Sequence, residues 1–171
     1  MNHLLAPLEC YYIITMGSCI WLALCEDADT RYYEALYYSM KECDFSDCIA
    51  EDALNEYKTR ALQKEILQRQ DAGLEQMTFE TKYELVEEKV MEEDVYYLKL
   101  NTIRKFSDGS ECGSNIWFLV KNENGEMKII DWNDNRMDSV DSVLGENREP
   151  QLPVVWEDEA WTQNVLQEIS K

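Results

Sequence analysis

The chain has 171 residues, of which 35 are acidic and 16 basic, so its formal net charge at pH 7 is −19. A charge this negative argues against nucleic acid and anionic membranes as partners, because both would repel the protein at every approach. Hydrophobic residues make up 45% of the chain, which suits a folded domain with a core and argues against intrinsic disorder. The charge favours a basic protein partner, although high solubility alone is a simpler reason for it.

Residues 1–26 form an apolar segment, and residues 27–171 are expected to form the main domain. The run "CYYIITMGSCIWLALC" within the segment carries no charge and has a glutamate on either side. It is shorter than the roughly 20 residues of a membrane-spanning helix, and an acidic residue before it is atypical of an export signal. We therefore expect a cytoplasmic protein whose N-terminal helix, or helix pair bent near Pro7 or Gly17, is buried. Export, or anchoring in a membrane through residues 10–25, is the alternative that this run leaves open.

The cysteines and the single histidine do not form a metal-binding pattern. No two of the six cysteines are spaced C-x-x-C, and the histidine is His3. A structural zinc site needs about four such ligands grouped in close pairs, so the sequence predicts neither a metal nor a cofactor. Scattered cysteines in a chain of this length are typical of buried free thiols in a reducing compartment. We expect Cys43 and Cys48 to be reduced and mostly buried, and pairing into disulfides stays an open alternative.

Two helices are predicted in the first half of the main domain. Asp27 and Asp29 suit a helix N-terminus, and they precede an apolar stripe at helical spacing formed by Tyr33, Leu36, Tyr37 and Met40. A second helix is expected from about residue 48 to residue 70, with Gly73 as its natural end. Both helices come before any predicted strand.

Strands are predicted after Gly73, and a short helix from Ala160 to Ile169. The predicted strands are rich in β-branched and aromatic residues and are separated by polar turns; they cover residues 83–90, 95–106, 115–121 and 126–132. Helices followed by antiparallel strands predict an α+β fold, with the N-terminal helices packed on one face of a curved antiparallel β-sheet. In the third strand both faces are apolar, which indicates cover on both sides or a cavity on one.

Two stretches, "DADTRYYEALYYSMKECDFSD" and "WFLVKNENGEMKIIDWN", together resemble the nuclear transport factor two-like superfamily. Its members typically open with a helix reading "aryyeAl…Df" and close with a strand pair reading "lvk-turn-G-x-W-K-I-x-x-w". Positions 128, 129, 131 and 132 fit the second pattern, whereas Met127 stands where a tryptophan is usual. The resemblance covers roughly residues 27–133. It implies that helices and sheet form a cone with a pocket, and that the other face of the sheet is a surface for a homodimer.

The resemblance also implies where chemistry would occur, since some members are isomerases or dehydratases with an acid–base pair in the cone. The residues expected to line the pocket are Tyr33, Tyr37, Tyr97, Asn101, Met127 and Ile129. Asp131 is predicted to share a strand face with Met127 and Ile129, and it is a catalytic candidate together with Tyr37 because burial raises a carboxyl pKa. We favour a simpler interpretation, in which Asp131 caps its strand in solvent and the tyrosines are core aromatics.

A C-terminal patch is predicted at residues 156–161, where Glu157, Asp158 and Glu159 lie between Trp156 and Trp161. Aromatic anchors beside charge suit a protein interface, and a solvated surface is the plain alternative. We therefore predict a non-catalytic acidic binding protein, such as an immunity-type inhibitor of a basic protein. An exported or lipid-anchored ligand-binding domain and a small-molecule isomerase or dehydratase are the alternatives.

Overall fold

The structure, a computed structural model, describes residues 8–134, 144 and 148–170, with side chains from Ile20 onward. Its α-helices are α1 (Leu8–Tyr33), α2 (Asp52–Asp71) and α3 (Glu159–Ile169). Its strands are β1 (Phe79–Glu92), β2 (Val95–Phe106), β3 (Glu111–Glu123) and β4 (Glu126–Asp134). The strands form one antiparallel sheet in the order β1-β2-β3-β4, open and curved, with the helices packed against it. The predicted α+β class is therefore confirmed.

Helix α1 begins much earlier than the apolar stripe indicated. It runs without interruption from Leu8 through Gly17 and Asp29, so Asp29 lies inside a helix and not at its N-terminus. A glycine inside a helix costs only about 1 kcal/mol relative to alanine, so Gly17 does not divide the segment into a helix pair. Pro7 lies outside the described residues. The boundary expected after residue 26 falls within α1, which continues into a π-helical turn, Glu34–Ser39.

The length of α1 does not make it a membrane span. Its polar second half includes Glu26, Asp27, Asp29 and Arg31. Among the described residues, no helix is both long enough and apolar enough to cross a bilayer.

The β3–β4 hairpin is closed by a two-residue turn, Asn124-Gly125. Both residues have positive φ angles, 56° and 91°, as a type I′ turn requires, and Asn-Gly is the dipeptide that adopts this turn most readily. The Gly125 N–H also donates to the side-chain oxygen of Asn122 at 2.9 Å. The turn pairs Glu123 with Glu126, and a β-bulge further along the hairpin shifts the register so that Phe118 lies opposite Trp132.

The inner face of the sheet, which meets α1 and α2, forms the core. Trp132 lies on this face with its ring 5.3 Å from that of Phe118 and 5.8 Å from that of Tyr32, measured between centroids. Ile129 is fully buried, and its backbone bridges to Ile49. Met127 is half-buried. The prediction that residues 83–132 form antiparallel strands with the helices on one face is confirmed.

A β-bulge at Ile130 reverses the faces of the sheet on which the last side chains of β4 lie. Ile129 is paired with Val120, but Asp131 is paired with Leu119, so β4 has one residue more than β3 at this point. Because strand side chains alternate between faces, one extra residue moves the following side chains to the opposite face. Asp131 therefore lies on the outer face, and the prediction that it shares a face with Met127 and Ile129 is wrong.

Candidate functional sites

An inner polar cluster lies between α1 and the sheet. Asp29 Oδ2 accepts hydrogen bonds from the Arg104 guanidinium and from the Tyr83 hydroxyl, the latter at 2.8 Å. The Arg104 guanidinium carbon lies 3.4 Å from the centroid of the Tyr33 ring, and the Tyr33 hydroxyl donates to Asp134 Oδ2 at 2.5 Å. We call these five residues the inner polar cluster.

Local geometry explains why these side chains meet. Asp29 and Tyr33 are four residues apart on α1, so they lie on the same face of the helix. Arg104 on β2 is paired with Thr81 on β1, and Tyr83 lies two residues further along, on the same face of the sheet. The cluster therefore links α1 to β1, β2 and β4.

Burial dominates the electrostatics of the inner polar cluster. Asp29 and Arg104 are both 0% exposed. Burial raises the pKa of Asp29, and the nearby Arg104 and the Tyr83 hydrogen bond offset only part of that effect. Burial and the negative charge of Asp29 likewise raise the pKa of Tyr83 well above its usual value. Burial opposes the charge on Arg104, but the combined attraction of Asp29, Asp134 and the two tyrosines exceeds that effect, so the pKa of Arg104 is raised as well.

These groups are of the kind that general acid–base catalysis uses, but they are bonded to one another. Among the described residues, Asp29 Oδ1 and Arg104 Nε lack a hydrogen-bond partner. None of the five residues lines either of two surface grooves beside α3. The cluster thus links elements of the fold, and its polar groups form hydrogen bonds with one another. The sequence interpretation missed Asp29, Tyr83 and Arg104; the available signal was an arginine at an inward position of β2, in phase with Leu98 and Leu100.

Asp131 is the centre of a second buried arrangement, which we call the Asp131 clamp. Its two oxygens accept from the two terminal nitrogens of Arg148, at 2.7 and 2.8 Å. Oδ1 also accepts from Trp156 Nε1 at 2.8 Å and from the backbone N–H of Trp132 at 2.9 Å. The Arg148 guanidinium carbon lies 4.8 Å from the centroid of the Trp117 ring. The clamp fastens the segment after residue 147 to β4.

The geometry of the clamp corrects the expectation for Asp131. The residue is 0% exposed, so it does not cap its strand in solvent. Its carboxylate already accepts four hydrogen bonds, two of them from a bidentate arginine, which is among the strongest hydrogen-bond arrangements in proteins. A carboxylate held in this way is a structural anchor and has no free oxygen for proton abstraction.

The residues predicted to line one pocket are divided between the two faces of the sheet. Tyr97 lies on the outer face, where its ring centroid is 6.3 Å from that of Trp117. Asn101 lies four residues further along β2 and therefore on the same outer face. The prediction that Tyr97 and Asn101 point inward is wrong, whereas Ile129 does lie on the inner face.

Tyr33 and Tyr37 are brought together on the inner side. Their rings are stacked with centroids 5.9 Å apart, and Tyr37 also lies 4.8 Å from Phe106. The Arg69 guanidinium carbon lies 4.3 Å from the centroid of the Tyr37 ring. The surroundings of Tyr37 are those of an aromatic packing residue.

The C-terminal patch is only partly available to a partner. Trp156 is 4% exposed, and its ring lies 5.3 Å from that of Tyr57 on α2, so it belongs to the core. Trp161 is half-buried, and Glu157, Asp158 and Glu159 are exposed. Asp158 also accepts from the backbone N–H of Trp161 at 3.0 Å, which makes it the N-cap of α3.

Carboxylates from separate parts of the chain meet at one end of the sheet. The N–H of Asn122, beside the β3–β4 turn, donates to the carbonyl of Asp94, in the β1–β2 turn, at 2.8 Å. Burial raises the pKa of Glu51, before α2, and repulsion from Glu157 and Glu123 raises it further. We call this surface the acidic end; its carboxylates are Glu51, Asp52, Glu92, Glu93, Asp94, Glu123, Glu126 and Glu157. Its lysines, Lys121 and Lys128, are each paired with a glutamate of the same end.

A groove of about 700 Å³ lies next to the acidic end. Its walls are formed by residues 151–155 and by Trp161, and Glu157, Asp158 and Arg148 also line it. Charged and aromatic side chains thus face the same open volume.

The described cysteines Cys25, Cys43, Cys48 and Cys112 are free thiols. Cys48 is buried and Cys43 is half-buried. Burial raises the pKa of Cys48 to about 12. His3 and the side chains of Cys10 and Cys19 lie outside what the structure describes, and the described part of the chain contains no group of three or more potential ligands placed to hold a metal ion.

Comparison with protein-family models, with curated proteins and with solved structures gave no match. The resemblance to the nuclear transport factor two-like superfamily therefore stays a prediction from the two sequence stretches that suggested it.

Proposed function

We propose that the protein is a non-catalytic binding protein that recognises a basic protein through its acidic end, in the manner of an immunity-type inhibitor. The observation that carries this proposal is the convergence of carboxylates from two turns, the start of α2 and residue 157 on one surface. We place this function in the cytoplasm, where free thiols such as Cys48 persist.

The charges of the acidic end favour a cationic ligand. Glu51 is half-buried, and its pKa is raised by burial and by the proximity of Glu157 and Glu123. Like charges held together in this way repel one another, and a basic surface that docks on them relieves the repulsion. Complementary charge of this kind raises association rates by about 10- to 1,000-fold at low salt.

Asp131 and Asp29, whose carboxylates are fully buried, favour binding over catalysis. Asp131 is occupied by Arg148 and Trp156, and Asp29 is held by Arg104 and Tyr83. Either could act as a base only after its present partners moved away. Glu93, Asp94 and Glu157 of the acidic end are exposed and need no such rearrangement to meet a partner.

The test compares the wild type with two triple variants that have the same net charge as each other. The first carries Glu93→Lys, Glu123→Lys and Glu157→Lys at the acidic end. The matched control carries the same change at exposed positions elsewhere, Glu75, Glu80 and Glu168. Each protein is immobilised and used to capture proteins from a lysate of the source cells at low and high salt.

The expected result is one basic protein, captured by the wild type and by the control at low salt and lost with the acidic-end variant. Capture should also fall as the salt concentration rises, since exposed charges are screened. Equal capture by all three proteins would show that the acidic end does not bind the partner. The absence of any enriched basic protein would contradict the proposed function itself.

A further inference from the structure

The groove beside Trp161 combines an aromatic ring with exposed carboxylates. Trp161 forms part of its wall, and Glu157 and Asp158 line it together with residues 151–155. The Trp161 ring lies 5.1 Å from that of Trp156 at an interplanar angle of 77°. Because Trp156 is itself held by Asp131, the ring of Trp161 rests against a fixed support.

The net charge of this groove is negative although an arginine lines it. The Arg148 guanidinium is bonded to both oxygens of Asp131, and its side chain is 9% exposed. Its positive charge is therefore balanced within the Asp131 clamp. Glu157 and Asp158 are exposed, and among the described residues that line the groove Arg148 is the one with a cationic side chain.

Arg148, one of the residues that line the groove, also carries a polar atom that lacks a partner. Arg148 Nε is buried and has no hydrogen-bond partner among the described residues. A buried donor without an acceptor is energetically unfavourable.

We propose that this groove receives an arginine side chain of the basic partner, an inference that rests on the proposed function. The guanidinium stacks on the Trp161 ring and donates to Glu157. Tryptophan is the best aromatic surface for a cation, and the planar guanidinium suits stacking and carboxylate recognition better than a lysine ammonium does. The protein already uses such stacking, since Arg148 lies over Trp117.

The experiment uses blocked arginine, N-acetyl-arginine amide, as the probe and blocked citrulline as its uncharged control. Both are titrated into the ¹⁵N-labelled full chain, and the indole N–H signals are followed by NMR. The Trp161 signal is assigned from the Trp161→Phe variant. Blocked arginine should shift this signal in a saturable way, and citrulline should leave it unchanged, because citrulline has the same shape without the charge.

The variants supply the second half of the test. Glu157→Gln should weaken arginine binding by about fivefold, as expected for an exposed ionic contact, and Glu168→Gln should leave it unchanged. An unmoved Trp161 signal, an equal response to citrulline, or unchanged affinity in Glu157→Gln would each overturn the assignment. A thermal melt of each variant checks that it is folded.

Failure of this inference can be told apart from failure of the proposed function. If Trp161→Phe and Glu157→Gln still capture the basic partner as the wild type does, the acidic end binds it without the groove, and the inference is wrong. If blocked arginine binds at Trp161 but no basic protein is captured, the groove assignment stands and the proposed function is wrong.

Discussion

Replacing Asp131 by asparagine should strongly destabilise the protein, because it leaves the Arg148 guanidinium buried without a counterion. The carboxylate is fully buried and accepts two hydrogen bonds from Arg148 and one from Trp156. The amide of asparagine has one acceptor oxygen, and its NH₂ group would face the donors of Arg148. The change therefore adds a donor–donor conflict to the loss of charge.

The expected loss of unfolding free energy is about 3–5 kcal/mol, the usual cost of removing one partner from a buried ion pair. The pair is buried on both sides, with side-chain exposures of 9% for Arg148 and 0% for Asp131, so screening by solvent reduces this value little. In a chain of this size a loss of 1 kcal/mol lowers the melting temperature by about 2–4 °C. The variant should therefore melt roughly 6–20 °C below the wild type.

Urea denaturation, followed by circular dichroism and by tryptophan fluorescence, measures this loss. The control is a double-mutant cycle with Arg148→Met, in which the double variant Asp131→Asn/Arg148→Met should be more stable than the sum of the single losses predicts. A loss below about 1 kcal/mol for Asp131→Asn, or strictly additive losses, would refute the clamp as described. If Asp131→Asn instead abolished turnover of an identified small molecule without loss of stability, catalysis would replace our interpretation.

Two further substitutions and one chemical modification test other parts of the fold. Arg104→Met leaves Asp29 buried without its cation, so it should cost about 3–5 kcal/mol in urea denaturation, and adding Asp29→Asn should restore part of the loss. Because its thiol pKa is raised to about 12, Cys48 stays protonated at pH 8 and should resist iodoacetamide in the native protein, whereas half-buried Cys43 should react; alkylation of Cys48 at the rate of Cys43 would contradict its burial. Gly125 has a φ of 91°, so Gly125→Ala should lower stability by about 1–2 kcal/mol in thermal melts, and an unchanged melting temperature would mean that the turn differs.

The local signals in the sequence were sufficient for the sheet. The Asn124-Gly125 turn and the alternating residues of β2 each depend on a few neighbouring positions, and β2 spans the predicted residues 95–106. The start of α1 was not predictable in the same way. An uncharged run is compatible with a helix, a leader or an anchor, and an aspartate such as Asp29 is more often a helix cap than a buried ion.

The faces of β4 show why the candidate sites were harder to predict. Ile129 and Ile130 are both apolar, so either of them suits a buried face of the sheet. The alternation of apolar and polar residues therefore does not reveal whether β4 has an extra residue between Ile129 and Asp131. The bulge is visible only in the pairing with β3. Likewise Trp156 and Trp161 have the same side chain in the same acidic stretch, and contacts with distant residues, such as that of Trp156 with Asp131, separate buried Trp156 from half-buried Trp161. That contact joins residues 25 positions apart.

The Asp131 clamp also bears on the order in which the chain folds during synthesis. The hairpins of the sheet join sequence neighbours and can form early, but Asp131 receives its partners from positions 17 and 25 residues downstream. At a synthesis rate of about 5–20 residues per second, the later partner arrives about 1–5 s after Asp131. During that interval the carboxylate must stay hydrated, so the end of β4 cannot adopt its final buried arrangement. The nascent protein should therefore be most vulnerable to misassembly at this strand, and a pause in translation between residues 131 and 156 would prolong that exposure.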